Sequence, residues 1–153
     1  MLQHPNAETC WIIKYFRNCF SDLEKQITNP SLLDTEEMTR KCDEKVQDLY
    51  RTLRIDCQNH IGFSVIECDN HARAYYQRQL VGSDNRVDRR VIVCENHVLN
   101  EADLNEVLRH ELIHAIDDSA VCSGWKCNFN KIDDRSCSEI RAAYWYVLSF
   151  DWL

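Results

Sequence analysis

The spacing of apolar residues changes period along the chain, and each period predicts a different element. From Asn18 to about Leu53, apolar residues are interleaved with Glu, Lys and Gln, and the only turn signal is "TNPS" at 28–31. That pattern predicts two helices around a proline break. "GFSVIEC" (62–68) and "RRVIVCE" (89–95) are short β-branched and apolar runs bounded by Gly, Asn and Asp, which predicts two strands. The polar stretch between them, 69–88, reads as a long loop or a twisted hairpin. "NEADLNEVLRHELIHAIDD" (100–118) places apolar residues at 104, 108, 112 and 115, after an N-cap candidate Asn100 and an acidic first turn. This predicts an amphipathic helix. Residues 119–135, with Gly124 and several Asn and Asp, read as a loop, and "SCSEIRAAYWYVL" (136–148) reads as a final helix.

These elements add up to a single-domain α+β protein, with a helical portion over 18–60 and a core over 61–148 in which a small sheet packs on the helix 100–118. A chain of 153 residues is long enough for one hydrophobic core and short for two. Its 44% hydrophobic and 28% charged residues place it among globular proteins. The net charge of -7, with 18 Lys+Arg scattered along the chain, lacks the basic footprint of a nucleic-acid binder. No apolar run is long enough to span a bilayer, since even "YWYVLSFDWL" is short and carries Asp151. The first residues carry neither a secretory signal pattern nor that of a cleaved transit peptide.

Nine cysteines, at 10, 19, 42, 57, 68, 94, 122, 127 and 137, are too many for an ordinary reduced cytosolic domain of this size. None is spaced C-x-x-C, which argues against a zinc ribbon or a dithiol redox site. Disulfides are the expectation, with at least one thiol left over because nine is odd.

The candidate chemistry lies in "VLRHELIHAI" (107–116). At about 100° per residue, His110 and His114 project from one face of the helix, one turn apart, while the stripe 104, 108, 112, 115 lies opposite. Two imidazoles at i, i+4 with a glutamate between them form the zincin arrangement. The histidines hold Zn2+, and the glutamate, here Glu111, acts as the base that deprotonates the attacking water and then carries the proton to the leaving amine. The alternative is two histidines without a metal, second-shell or on the surface.

Such a site needs a third protein ligand. Glu139 on the following helix is the preferred candidate. Asp117 continues the histidine face, and it could bind the metal or hydrogen-bond a ring N–H from behind. Against Glu139 stands the sequence Ser136-Cys137-Ser138-Glu139, which matches a capping box, in which the glutamate serves only its own helix. Arg141 is placed to pair with a carboxylate near the site. His60, His71 and His97 are assigned to surface or loop, with His97 a reserve ligand, and Tyr75, Tyr76 and Tyr144 to packing.

"HELIHAIDD" and "CSEIRAA", with the upstream "GFSVIECD" and "VIVCEN", make the chain resemble the mitochondrial inner-membrane metalloproteases that process and assemble ATP synthase, the ATP-twenty-three family. The resemblance runs from about Cys19 to Ala143. It implies a zincin-like zinc endopeptidase with His110 and His114 on the metal and Glu111 catalytic. It also implies cysteines engaged in disulfides, with Cys19, Cys68, Cys94 and Cys137 at the expected places. By the same resemblance the protein resides in the intermembrane space, peripheral to the inner membrane. There it matures a protein substrate, subunit a of ATP synthase in fungi, and assists assembly as a chaperone independent of the active-site glutamate. The family continues beyond the C-S-E-I-R-A-A run with a further cysteine-bearing segment where this chain ends in "YWYVLSFDWL". The alternative expectations are a non-catalytic assembly chaperone and an inert, truncated isoform.

Overall fold

The structure is a computed structural model, and it describes residues 2–3, 10–28, 43–119, 122 and 132–147. In chain order the elements are β1 (Leu2–Gln3), α1 (Trp11–Thr28), α2 (Glu44–Arg51) running into a π-helical turn (Thr52–Asp56), β2 (Gly62–Ile66), β3 (Ala74–Val81), β4 (Arg86–Cys94), α3 (Glu101–Asp117) and α4 (Ile132–Val147). The sheet order is β1-β2-β4-β3, parallel except for β3, which pairs antiparallel with β4 and forms an edge. This is the α+β arrangement expected from the sequence.

The register Phe63↔Val91 and Val65↔Val93 lines up apolar side chains across β2 and β4, and all four are buried. Against Phe63 pack Phe16 and Phe20 of α1, each with its ring centroid 4.9 Å away, and Tyr50 of α2 stands 4.7 Å from Phe20. Aromatic groups at these separations supply both area and edge or offset contacts, so truncating Phe16 to Ala costs about 3–5 kcal/mol. Helix α1 begins at Trp11, seven positions before the expected start at Asn18. Ile12, Ile13, Phe16, Phe20 and Leu23 are all buried at helical spacing, so the apolar stripe and not the polar composition sets its start. The proline break at 28–31 lies outside the described residues beyond Thr28.

The stretch 69–88 resolves into a hairpin, and β4 starts at Arg86 rather than 89. Its turn needs two left-handed residues, Gly82 at φ 77° and Asn85 at φ 55°. Gly and Asn tolerate that region best. Strand β3 is polar and mostly exposed, which is why its period-2 signal is faint. Disulfides join Cys68 to Cys94, closing the far ends of β2 and β4, and Cys57 to Cys122, tying the turn after α2 to the segment after α3. Cys19 is also disulfide-bonded. Cys10 and Cys137 are free thiols, so the pairing that the resemblance implied for Cys137 does not hold.

Helix α3 packs beside α2, β3 and α4. It starts as expected, with Asn100 accepting from the Asp103 N–H at 2.9 Å. Leu104, Leu108, Leu112 and Ala115 are fully buried, but so nearly are Glu111, His114 and Asp117 on the other side. The helix is therefore central, with Glu111, His114 and Asp117 covered by neighbouring elements while His110 stays partly exposed. Asp43 fixes its rotation from the α2 side, capping the Val46 N–H at 3.0 Å while its carboxylate binds the Arg109 guanidinium.

Helix α4 starts at Ile132, four residues earlier than the sequence pattern suggested. Asp133 looks like a loop residue but is favoured in a helical first turn by the helix dipole. The capping box at Ser136 is thereby overturned. Ser136 sits inside the helix, with its hydroxyl donating to the Ile132 carbonyl at 3.0 Å, and Glu139 is free for another role.

Candidate metal centre

Three donor side chains converge between α3 and α4. His110 Nε2 and His114 Nε2 are 3.1 Å apart, Glu139 Oε2 is 3.1 Å from the first and Glu139 Oε1 is 3.1 Å from the second. Ligands roughly 2.0–2.2 Å from one ion at tetrahedral angles stand about 3.3 Å apart or slightly more, so two imidazole nitrogens at this spacing, with a carboxylate oxygen facing each, suit a small divalent cation. Two nitrogens and one carboxylate oxygen are also the donor set that such a cation takes. Among the described residues this is the only trio of His, Cys, Asp or Glu side chains gathered closely enough to hold a metal. The other candidates are elsewhere: Asp117 is turned away, His97 contacts Asn96, and His60 lies against Arg54.

Asp117 takes the Arg141 guanidinium at 2.5 Å on one oxygen and the Ser138 hydroxyl at 2.8 Å on the other. Ser138 Oγ stands 2.7 Å from His114 Nδ1. The support from behind expected of Asp117 thus reaches the imidazole through a serine. Ser138 escaped the sequence reading because its only signal was adjacency to Glu139 on a helix. Arg141 does pair with a carboxylate at the site, as its position suggested.

Glu111 is 7% exposed and accepts a hydrogen bond from the Tyr76 backbone N–H, which ties the edge strand to the middle of the histidine motif. Burial, reinforced by the nearby Glu139 charge, pushes its carboxyl up to about 8. Burial pulls the His114 imidazole down to about 4, keeping it neutral with a lone pair to offer. A cation beside Glu111 would favour its charged form.

The centre opens into a groove along β3. One part, of about 360 Å³, is lined by Ala74, Tyr75, Tyr76, His110, Glu111, His114, Arg135 and Glu139. The adjoining part, of about 260 Å³, shares Ala74, His110 and Glu111 and adds Arg73, Glu106, Val107 and Ala143. His110 and Glu111 therefore stand midway along it. Arg73 bridges the start of β3 to Asp103 at 2.6 Å and to Glu106 at 2.7 Å, closing one end. Tyr76 directs its hydroxyl to Asp118, and Tyr75 lines the groove, while the Tyr144 side chain lies outside what the structure describes.

Two imidazoles and a carboxylate around one point, with a buried second carboxylate beside them and a groove leading in, form a candidate metal centre. The Peptidase M76 family pattern matches residues 27–146, and the chain belongs to that family. It is the family to which the motifs pointed, and membership makes the protein a metallopeptidase with a metal cofactor. No curated protein and no solved structure matches the chain.

Proposed function

We propose that the protein is a zinc endopeptidase of the zincin type, with His110, His114 and Glu139 on the metal and Glu111 as its general base and acid. The observation that carries this reading is the meeting of two imidazole nitrogens, 3.1 Å apart, with the Glu139 carboxylate, which faces each of them at 3.1 Å through a different oxygen, next to a buried Glu111. His110, His114 and Glu139 would hold zinc, which when bound would supply Lewis acidity toward a carbonyl and toward water. Glu111, held by the Tyr76 N–H, takes the proton of the attacking water and delivers it to the leaving nitrogen.

An extended substrate would lie against β3. The Arg73 carbonyl accepts from the Cys94 N–H, whereas the Tyr76 N–H points away from β4 toward Glu111. Backbone groups alternate along a strand, so those of Ala74, Tyr76 and Arg78 face the groove. Binding through main chain tolerates many side chains, as a processing enzyme requires.

The resemblance carries the reading further: residence in the mitochondrial intermembrane space, peripheral to the inner membrane, with a membrane subunit of ATP synthase as substrate. The disulfides support an oxidising compartment. A second role as an assembly chaperone is supported by Leu80 and Val81, 64% and 41% exposed at the hairpin tip, where they offer apolar surface to a client.

Glu111→Gln tests the mechanism. The variant should bind one zinc per chain like the wild type and lose peptide cleavage by on the order of 10²–10⁴-fold, with client assembly preserved. Cleavage at the wild-type rate would overturn the role given to Glu111.

A further inference from the structure

We infer that Ser138 fixes the tautomer of His114, and with it the metal affinity of the centre, by relaying the Asp117–Arg141 ion pair to the imidazole. The inference rests on the metal-centre reading and adds a positioning residue to it.

The polarity of the chain follows from donor inventory. A guanidinium only donates, so the 2.5 Å contact from Arg141 Nη1 requires Asp117 Oδ1 to accept. A carboxylate paired in this way has only lone pairs for Ser138, whose single hydroxyl proton therefore goes to Asp117 Oδ2, 2.8 Å away. What Ser138 Oγ then presents to His114 Nδ1, at 2.7 Å, is a lone pair. His114 must carry its proton on Nδ1, which leaves Nε2 bare, and Nε2 is the atom that stands 3.1 Å from both His110 Nε2 and Glu139 Oε1. Ser138, Asp117 and His114 are 1%, 2% and 5% exposed, so bulk water does not readily take over any link. Metal-binding histidines are commonly held directly by a carboxylate or a carbonyl. Here the neutral serine stands between, and the charge acts from one residue further back.

Asp117→Asn separates a relay from mere packing. Its amide must turn the carbonyl oxygen to Arg141, which leaves the NH2 facing Ser138. The serine then accepts, its own proton points at His114 Nδ1, and the ring proton moves to Nε2, where it blocks the metal. Ser138→Ala only removes an acceptor from a ring N–H.

The test is zinc affinity of the oxidised protein by chelator competition, together with ring ¹⁵N shifts of His114 in the metal-free protein at neutral pH. The wild type should show the proton on Nδ1. Ser138→Ala should bind zinc about 10- to 100-fold more weakly, Ser138→Thr should restore binding, and Asp117→Asn should fall below Ser138→Ala with its ring proton on Nε2. A wild-type ring protonated on Nε2 overturns the relay without any variant, and so does wild-type zinc affinity in both Ser138→Ala and Asp117→Asn. Should Asp117→Asn fail to fold, the wild-type spectrum and the Ala/Thr pair decide. If the wild type shows the Nδ1 proton yet takes up no zinc, the metal-centre reading falls and the tautomer assignment stands.

Discussion

The Tyr76 hydroxyl donates to Asp118 Oδ2 at 2.8 Å, joining the edge strand to the residue that follows the helix carrying His110 and His114. The same tyrosine gives its backbone N–H to Glu111, so a single residue of β3 holds α3 at two points. Arg89 Nε, 3.1 Å from the same Asp118 oxygen, adds β4 to the junction. The groove keeps its width because the strand that forms one wall is hydrogen-bonded to the helix that forms its floor.

Tyr76→Phe should therefore cost about 1–2 kcal/mol in urea unfolding, the range for a hydrogen bond to a charged group that is partly replaced by solvent. Asp118→Ala should cost more, about 2–3 kcal/mol, since it strands both the hydroxyl and Arg89 next to a side chain only 5% exposed. Both should speed amide exchange in 74–78 while leaving α1 protected. Unchanged exchange in the strand would mean that the junction does not hold it.

The disulfide Cys68–Cys94 spans 26 residues that include all of β3. In the chain-entropy account a loop of that size is worth about 3.5 kcal/mol. Replacing both cysteines by alanine should lower stability by roughly 2–4 kcal/mol. Metal affinity should fall less than tenfold, because the three proposed ligands sit on α3 and α4 and not on the closed loop. A loss of all metal binding would show that the hairpin, and not the helix pair, assembles the centre.

The centre was legible where chemistry has a fixed period. That His110 and His114 come together follows from i, i+4 geometry on a capped helix, and Glu139, preferred in the sequence over Asp117, is the carboxylate that the structure brings beside them. Strand β3 was legible only as one of two readings, a loop or a twisted hairpin, because an exposed edge carries no apolar alternation to choose between them. Ser138 and the Tyr76 N–H were invisible for another reason. A serine hydroxyl and a backbone amide are present throughout any chain, and what makes these two functional is a tertiary contact. The capping-box match misled because four residues of helix precede Ser136.

Among the described residues two thiols are free, and they differ in access, Cys137 being exposed and Cys10 buried 3.6 Å from Glu95 Oε2. Brief alkylation of the native, oxidised protein should modify Cys137, with Cys10 reacting only after unfolding. Peptide mass spectrometry reads both. Protection of Cys137 in the native monomer would contradict its exposure on α4.

In the metal-free protein the buried groups of the centre make stability depend on pH with a definite sign. The Glu111 carboxyl rises from its ordinary 4.5 to about 8 on folding, so between those values the native state holds a proton that the unfolded chain releases, and stability falls as pH rises. His114 drops from 6.5 to about 4, so over that interval the unfolded state binds the extra proton and stability rises with pH. The two oppose each other up to about 6.5, above which only the Glu111 contribution is left. Metal-free protein should therefore lose stability from about pH 6.5 to 8, with a slope of at most about 1.4 kcal/mol per pH unit. Glu111→Gln should flatten that limb, since it has no proton to release. Saturating zinc should flatten it too, because a cation at the centre lets Glu111 ionise in the folded state. Urea midpoints across this window, with chelator and with zinc, measure all three, and a slope that persists in Glu111→Gln would place the titrating group elsewhere.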